Sequence, residues 1–448
     1  MTTNQLLESN LESLINTAAQ NHQLGKLDEA ESIYRQVIQI QGDNQAEEKP
    51  LSKPYNVIAI ANLASIFEEK NKLEEAVGLY QQALTLKPDF AEVHNNLGNI
   101  FWAQGELEKA VQYYQEAIRV KPDYADAHNN LGNLFHNQGK LSEAVQCYQE
   151  AIRVKPDYAQ AYCNLGNVLQ VQAKLDAAQE SYQEAIKLNA DCFQAHNNLG
   201  ALFQKQGKLD AARESYQEAI RLKPDYADAH NNLGTILQKQ GKLEEAIQSY
   251  QEAIRLKPDF AEVYNNLGNT LHEQCKLEEA LQSYQQALSI NPNLAEAKLA
   301  MCVCQIPIIY SSVDEIKVRR NNYQASLKKL ADSYTQSDTE LSPRELLSAA
   351  KAVGAFQPFY LAYQGLNNRE LQQIYGQMIC QIMSQCYPRW SQKIPLPNLA
   401  PHEKVRIGVI SEFFWDHSNW KIPIKGWIEN LDRSNFELFG YHIGLKQD

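Results

Sequence analysis

An α-solenoid of stacked helix pairs is the fold class this sequence predicts: mainly α, with a short, incomplete α/β segment at its end. Three observations carry the prediction. The tetrapeptide Asn95-Asn96-Leu97-Gly98 returns every 34 residues at Asn129-Asn130-Leu131-Gly132, Asn197-Asn198-Leu199-Gly200, Asn231-Asn232-Leu233-Gly234 and Asn265-Asn266-Leu267-Gly268, with Cys163-Asn164-Leu165-Gly166 in register. Tyrosine keeps the same beat at Tyr34, Tyr80, Tyr114, Tyr148, Tyr182, Tyr216, Tyr250 and Tyr284. Alanine precedes each by four residues: Ala30, Ala76, Ala110, Ala144, Ala178, Ala212, Ala246 and Ala280. A fixed period of this length marks units that cannot bury their apolar faces alone and therefore stack.

Each element follows from its residues. With Ala91 as position 1, the units are 11–44, 57–90 and six more without a break from 91 to 294. Residues 45–56, with Pro50 and Pro54, are an insertion between the first two. Residues 1–44 thus read as an N-terminal cap with a degenerate repeat, and 57–294 as seven full repeats. In the unit 91–124, a first helix (A) carries Leu97, Gly98 and Phe101 on one stripe, and Gly105 ends it. A second helix (B) carries Ala110, Tyr114 and Ala117, spaced by three and four so that they share a face. Small residues let neighbouring helices approach, and the tyrosine ring fills the space between units. Lys121-Pro122-Asp123 ends helix B, because proline cannot continue a helix and forces its predecessor out of helical geometry. Ala190 replaces that proline in one unit, weakening the stop without moving the register.

Beyond the array, residues 295–400 read as a helical linker region. Residues 295–301 suit a capping helix, 313–334 an amphipathic helix with Val318, Tyr323, Leu327 and Leu330 on its apolar side, and 368–387 another helix. Ser342-Pro343-Arg344-Glu345 has the form of a capped helix start. Ser391 to Pro401, with three prolines, is a linker. Lys404 to Ser411 is a β-branched apolar run and predicts a buried strand. A helix over Pro423 to Leu431 and a strand over Phe436 to Ile443 would complete the opening of a Rossmann-like lobe across 403–448.

The formal charge of -12 argues against nucleic acid or an anionic membrane as the main partner, since both need a basic face. The eight cysteines have no metal-ligand spacing and suit reduced thiols. Met1 to Asn10 has no basic start or apolar core, and no apolar run reaches the roughly 18 residues of a membrane span. A cytoplasmic location is the resulting expectation.

The leucine–glycine pair, the aromatic at position 11, the alanines at 20 and 27 and the proline at 32 resemble the tetratricopeptide repeat across most of the first two-thirds of the chain. The resemblance implies a right-handed superhelix whose A helices line a concave groove where partners bind in extended form. In that family positions 2, 5, 6, 9, 12 and 13 face the groove. Position 6 is asparagine in every unit: Asn16, Asn62, Asn96, Asn130, Asn164, Asn198, Asn232 and Asn266. Position 5 adds Asn95, Asn129, Asn197, Asn231 and Asn265, and position 9 adds Asn99, Asn133, Asn167 and Asn269. Asparagine costs a helix interior roughly 0.5 kcal/mol relative to alanine. Its repetition has two explanations, a carboxamide row that grips the backbone of an extended peptide, or hydrogen bonds between helices. A lysine clamp for acidic tails is poorly represented, with only Lys205 and Lys239 at position 13. His94, His128, His196 and His230 at position 4 alternate with Tyr162 and Tyr264, which favours aromatic packing over metal binding. Cys147, Cys163 and Cys192 read as small apolar fillers.

Val405-Arg406-Ile407-Gly408 with Ser411, Phe414 and His417 resembles the start of the catalytic domain of O-GlcNAc transferases, which place it after a tetratricopeptide array. Pro358-Phe359-Tyr360-Leu361-Ala362-Tyr363-Gln364-Gly365 is similar to the linker of bacterial members. The resemblance implies transfer of N-acetylglucosamine from UDP-GlcNAc to serine or threonine, with His417 lining the acceptor side as the candidate catalytic residue. The family's nucleotide sugar sits mainly in a second lobe. With Asp448 the last residue, and no glycine-rich phosphate loop or late basic cluster, the donor site is expected to be missing and no cofactor is expected in this chain. Three readings stay open: a protein-binding module of this type with incomplete chemistry, an active protein O-GlcNAc transferase, and a plain scaffold. The partner is expected to be a protein or peptide in extended form, and a homodimer is compatible with the sequence.

Overall fold

A computed structural model describes residues 3–45, 55–307, 310–335, 341–355, 358, 361, 364–390, 405–411 and 436–442. It divides into two bodies, residues 1–330 with 351–371 and residues 331–350 with 372–448.

The first body is the repeat array and its cap. Helices α1 (Thr3–Gln23) and α2 (Leu27–Gln45) form the first pair, and α3 (Tyr55–Glu69) and α4 (Leu73–Leu86) the second. Six pairs follow: α5 (Ala91–Ala103) with α6 (Leu107–Val120), α7 (Ala125–Asn137) with α8 (Leu141–Val154), α9 (Ala159–Val171) with α10 (Leu175–Leu188), α11 (Phe193–Lys205) with α12 (Leu209–Leu222), α13 (Ala227–Lys239) with α14 (Leu243–Leu256), and α15 (Ala261–Glu273) with α16 (Leu277–Ile290). Helix α1 starts eight residues before the periodic pattern does, because Thr3 to Asn10 carry no residue that breaks a helix.

The turn between paired helices is a left-handed closure. Gly105 has φ 79°, Gly105 N–H reaches Trp102 O and Glu106 N–H reaches Phe101 O, which satisfies carbonyls orphaned at the helix end. Asn71, Ala173 and Cys275 adopt the same conformation without being glycine. The stop at Ala190 holds its register: α10 ends at Leu188, matching Val154 of α8, and Asn189 Oδ1 accepts the Asp191 N–H at 3.1 Å.

The array's core is the predicted one. All eight tyrosines at position 24 are at most 1% exposed, and the position-20 alanines are fully buried. Burying one such ring is worth up to roughly 4–6 kcal/mol in area terms, far more than the roughly 1 kcal/mol of its hydroxyl hydrogen bond. Apart from α3 and α5, each A helix also touches the A helix of the next unit, and no comparable contact joins consecutive B helices. The stack is therefore tighter along the A layer, which makes that layer the inner one.

Helix α17 (Ala295–Val303) closes the last repeat with Ala297, Leu299 and Ala300 buried. Helix α18 (Val313–Thr335) buries Tyr323, Leu327 and Leu330, whereas Val318 stays exposed. Within the first body Arg320 fixes the segment after residue 360, donating to Gln364 Oε1 (2.9 Å), Asn368 Oδ1 (2.5 Å) and Asn367 O (2.5 Å).

Helix α19 (Pro343–Ala355), whose start belongs to the second body, begins with the expected cap: Ser342 N–H donates to Glu345 Oε2 at 2.8 Å, and Glu345 N–H to Ser342 Oγ at 3.3 Å. Helix α20 (Arg369–Cys386) matches the expected 368–387. Strands β1 (Val405–Ser411) and β2 (Phe436–His442) pair in parallel, Val405 opposite Phe436 and Ser411 opposite His442. A parallel pair needs a crossover. That crossover, the expected helix at 423–431 and the linker at 391–401 lie outside the described residues. Two strands do not make a doubly wound sheet, so the described fold is a mainly helical solenoid and the Rossmann-like reading goes beyond it.

Candidate functional site

The asparagines form a ladder whose rungs cross from unit to unit. Asn130 Nδ2 donates to Asn95 Oδ1 (3.0 Å) and Asn99 Oδ1 (3.2 Å) of the preceding A helix. Asn164 Nδ2 repeats this with Asn129 (2.9 Å) and Asn133 (3.0 Å). Asn198 Nδ2 reaches Asn167 Oδ1 at 2.8 Å and, where position 5 is cysteine, Cys163 Sγ at 3.7 Å. Asn232 donates to Asn197 and Asn266 to Asn231, each at 3.0 Å. The 34-residue period puts position 6 of one helix beside positions 5 and 9 of its neighbour, and the small residues bring the backbones close enough for short amides to meet.

The identity of position 9 sets the wiring. Where it is asparagine, the buried tyrosine donates to it: Tyr114 to Asn99 (2.7 Å), Tyr148 to Asn133 (2.8 Å), Tyr182 to Asn167 (2.8 Å) and Tyr284 to Asn269 (2.9 Å). Where it is Ala19 or Ser65, the next position-6 amide donates to the tyrosine hydroxyl instead, Asn62 to Tyr34 (3.2 Å) and Asn96 to Tyr80 (3.1 Å). Where it is Ala201, Tyr216 turns to Gln204 Oε1 at 3.2 Å. Burial pushes the titration of Tyr114, Tyr148 and Tyr182 well above the ordinary phenol range, so these hydroxyls stay donors.

The structure thus separates the candidate residues into three rows. Position 5 accepts the rungs at Asn95, Asn129, Asn197 and Asn231, all buried except the half-buried Asn231, while in the last repeat the buried Asn265 Oδ1 takes no donor among the described residues. Position 6 (Asn62, Asn96, Asn130, Asn164, Asn198, Asn232 and Asn266) is half-buried, with Nδ2 committed to the ladder or to a tyrosine. Position 9 is where capacity remains. Oδ1 of Asn99, Asn133 and Asn167 takes two donors, while Nδ2 of each has no protein acceptor among the described residues and is not fully buried. Periodicity places position 9 on the groove but cannot say which lone pair or proton is in use. The co-occurrence of asparagine at 9 with tyrosine at 24 is the sequence signal for it.

The position-4 histidines are joints. His94 Nε2 lies 2.9 Å from Pro88 O, and His128 and His230 stand 3.0 Å from Pro122 O and Pro224 O. The expected aromatic packing is seen at His94, whose ring centre is 6.0 Å from that of Tyr113, but the hydrogen bond to the preceding loop is the feature all three share. At the groove's edge Tyr158 donates to Asp126 Oδ1 at 2.7 Å. A shallow hollow of about 730 Å³ beside α16 and α18 has its cation spent, with Arg319 paired to Glu278 (2.9 Å) and Glu315 (3.4 Å). Among the described residues no group of three or more His, Cys, Asp or Glu could hold a metal, and no helix is long and apolar enough to cross a membrane. His417 lies outside the described residues.

A TPR repeat model matches residues 64–105, 98–139, 132–172, 171–207, 205–241 and 236–274, and tetratricopeptide repeat models match 261–294 and 21–44. No curated protein matches the sequence. Among solved structures, YrrB, described as a TPR protein with an unusual peptide-binding site, is 24% identical, with 41% of this chain and 95% of that one covered and a TM-score of 0.34. The APC/C hetero-tetramer Cut9–Hcn1 gives 19% identity over 64% of this chain and 54% of that one, with a TM-score of 0.47. PilF of Pseudomonas aeruginosa gives 20% identity over 52% of this chain and 97% of that one, with a TM-score of 0.41.

Proposed function

The chain belongs to the tetratricopeptide repeat family, and we propose that its array binds a protein partner as an extended polypeptide laid along the A-helix layer. One observation carries this reading: the unspent Nδ2 donors of Asn99, Asn133 and Asn167, which stand at part-exposed positions in three consecutive units. The tyrosine hydroxyl and the neighbouring amide hold each Oδ1, so each donor is oriented before a guest arrives. A fixed amide donor suits a backbone carbonyl, which every residue supplies, so recognition would be largely indifferent to sequence. Position 6 contributes mainly by holding the units in register.

The double substitution Asn133→Asp with Asn167→Asp tests this. It keeps the Oδ1 acceptors that Tyr148, Asn164, Tyr182 and Asn198 use, and removes the two free donors. Binding of fluorescent unstructured peptides rich in serine and threonine should weaken about tenfold or more, at roughly 1 kcal/mol per lost hydrogen bond. Undiminished affinity, or no binding by the unaltered chain to any member of such a set, sinks the reading.

A second, finer reading is favoured by Val405-Arg406-Ile407-Gly408 on β1 and by the parallel pairing of β1 with β2. On it, 403–448 opens a transferase lobe of the O-GlcNAc type, the array presents serine- and threonine-bearing segments to it, and His417 lines the acceptor side. Saturable binding of UDP-GlcNAc by this chain would favour an active transferase, and its absence would leave the module with incomplete chemistry or the plain scaffold.

A further inference from the structure

We infer that the open donors of the A layer change track within the unit 159–192, from position 9 to position 12, so that Gln170 and Gln204 are further binding residues. Beside them, Lys205 and Lys239 take an acidic side chain of the guest. The inference rests on the binding reading above and extends it to residues outside the asparagine ladder.

The switch is visible at one hydroxyl. Tyr182 donates to both Asn167 Oδ1 (2.8 Å) and Gln170 Oε1 (3.2 Å). Positions 9 and 12 are three residues apart, so they share a helix face and stand about 4.5 Å apart along its axis. On either side of this unit only one of them is used. In the two units before it, position 12 is Trp102 or His136, and the tyrosine bonds Asn99 or Asn133. In the unit after it, position 9 is Ala201, which has no amide, and Tyr216 holds Gln204 Oε1 at 3.2 Å. Nε2 of Gln170 and of Gln204 has no protein acceptor among the described residues, and both side chains are part-exposed. Each is therefore a donor oriented through its own oxygen, as at Asn133. Tyr250 repeats the bond to Gln238 Oε1 (3.2 Å), but there Glu273 Oε1 accepts the Gln238 Nε2 at 2.7 Å. The run of open donors thus stops at Gln204.

The next residue along each helix gives the guest its chemistry. Position 13 lies four residues past position 9 and so shares its face. It is Ala103, Asn137 and Val171 along the first track, and Lys205 and Lys239 where the second one runs. Val171 is 62% exposed. Both lysines are exposed and neither forms an ion pair among the described residues. Like charges therefore stand on consecutive A helices, uncompensated, in a chain of formal charge -12. A carboxylate laid against the two ammonium groups relieves their repulsion, and a cationic side chain adds to it. The fitting partner is an extended polypeptide with small or apolar side chains beside Val171 and an aspartate or glutamate beside Lys205 and Lys239.

Fluorescent unstructured peptides rich in serine and threonine test both parts on the full-length chain, one series neutral and one with a glutamate pair at successive positions. Gln204→Glu keeps the oxygen that Tyr216 uses and removes the donor, so neutral peptides should bind about fivefold more weakly. Adding Ala201→Asn to that variant restores an amide donor at position 9 and should recover most of the loss, which a merely structural role for Gln204 does not predict. Lys205→Gln with Lys239→Gln should weaken the best glutamate-bearing peptide about fivefold and leave neutral ones within about twofold. If Asn133→Asp with Asn167→Asp weakens neutral peptides while Gln204→Glu does not, the track change is overturned and the binding reading stands. Equal losses for both series in the lysine variant overturn the acidic preference. No binding by the unaltered chain overturns both readings together. Should Gln204→Glu fail to fold, side-chain amide exchange at Gln204 in the unaltered chain decides: it should slow when neutral peptide saturates, and exchange that stays fast overturns the track change.

Discussion

A Cβ built on Gly98 would stand 2.6 Å from Cε1 of Tyr114, and the same close approach recurs at Gly132, Gly166, Gly200, Gly234 and Gly268. The glycine of one helix and the tyrosine of its partner are thus a single packing feature. Gly98→Ala should lower the urea midpoint by an amount equivalent to about 1–2 kcal/mol, because the ring must move within a filled core, and this outweighs the gain in helix propensity. Gly78 on α4 meets nothing within 4 Å, so Gly78→Ala should instead stabilise by up to about 1 kcal/mol. Backbone strain makes a second contrast. Ala173 (φ 59°) and Cys275 (φ 61°) hold the left-handed turn that Gly105 and Gly139 hold freely. Ala173→Gly and Cys275→Gly should each raise stability by about 1 kcal/mol by relieving a side-chain clash; a fall in the denaturation midpoint would contradict this. Asn130→Ala, by contrast, strips donors from both Asn95 and Asn99 and should cost about 1–2 kcal/mol, so it disturbs the array as well as its surface.

The joint between the first two helix pairs must survive the insertion at 45–56, and ionic contacts do part of this. Lys70 Nζ meets Asp28 Oδ1 at 2.5 Å and Glu31 Oε2 at 2.8 Å, and His22 meets Glu69 at 2.7 Å. The hydrogen bond from Lys70 holds the Glu31 carboxyl below its usual range. A depressed carboxylate means the folded joint binds fewer protons than the unfolded chain. Its contribution is complete above the ordinary value of 4.5 and fades as the pH falls through the lowered one. Lys70→Met should therefore speed amide exchange in α1 and α2 at neutral pH and flatten the acid-induced loosening of this pair; unchanged exchange there would remove the joint's ionic role. The elements themselves were legible in the sequence because their stops are local chemistry: Gly105 for helix A, Pro122 for helix B, and Ser342 with Glu345 for α19. The site was legible only in part. Periodicity shows that Asn95, Asn96 and Asn99 share a face, but which oxygen or amide proton is already used depends on the neighbouring unit, whose distance no single-unit pattern contains. His94 was likewise readable as a packing ring, and its bond to Pro88 O was not, because the acceptor belongs to the preceding loop.

Over the whole array, stability is a sum of units and the contacts between neighbours, so local loss at one end should leave the rest folded. A chain truncated after residue 335 keeps α1 to α17 with all their mutual contacts and loses the partners of Arg320 at Gln364, Asn367 and Asn368. Its helical signal should persist with a cooperative transition while α18 alone loses amide protection; collapse of the entire array would show that the following segment is required. On the proposed function, the A layer divides its labour, with position 6 binding unit to unit and position 9 taking the guest. Side-chain amide hydrogen exchange in the asparagine-labelled full-length chain tests that division most directly, with and without a saturating unstructured peptide. The account predicts that Nδ2 of Asn130 and Asn164 is protected throughout, and that Nδ2 of Asn99, Asn133 and Asn167 exchanges fast until the peptide binds and slowly afterwards. Position-9 amides that stay fast with peptide bound, while the position-6 amides change, would contradict it.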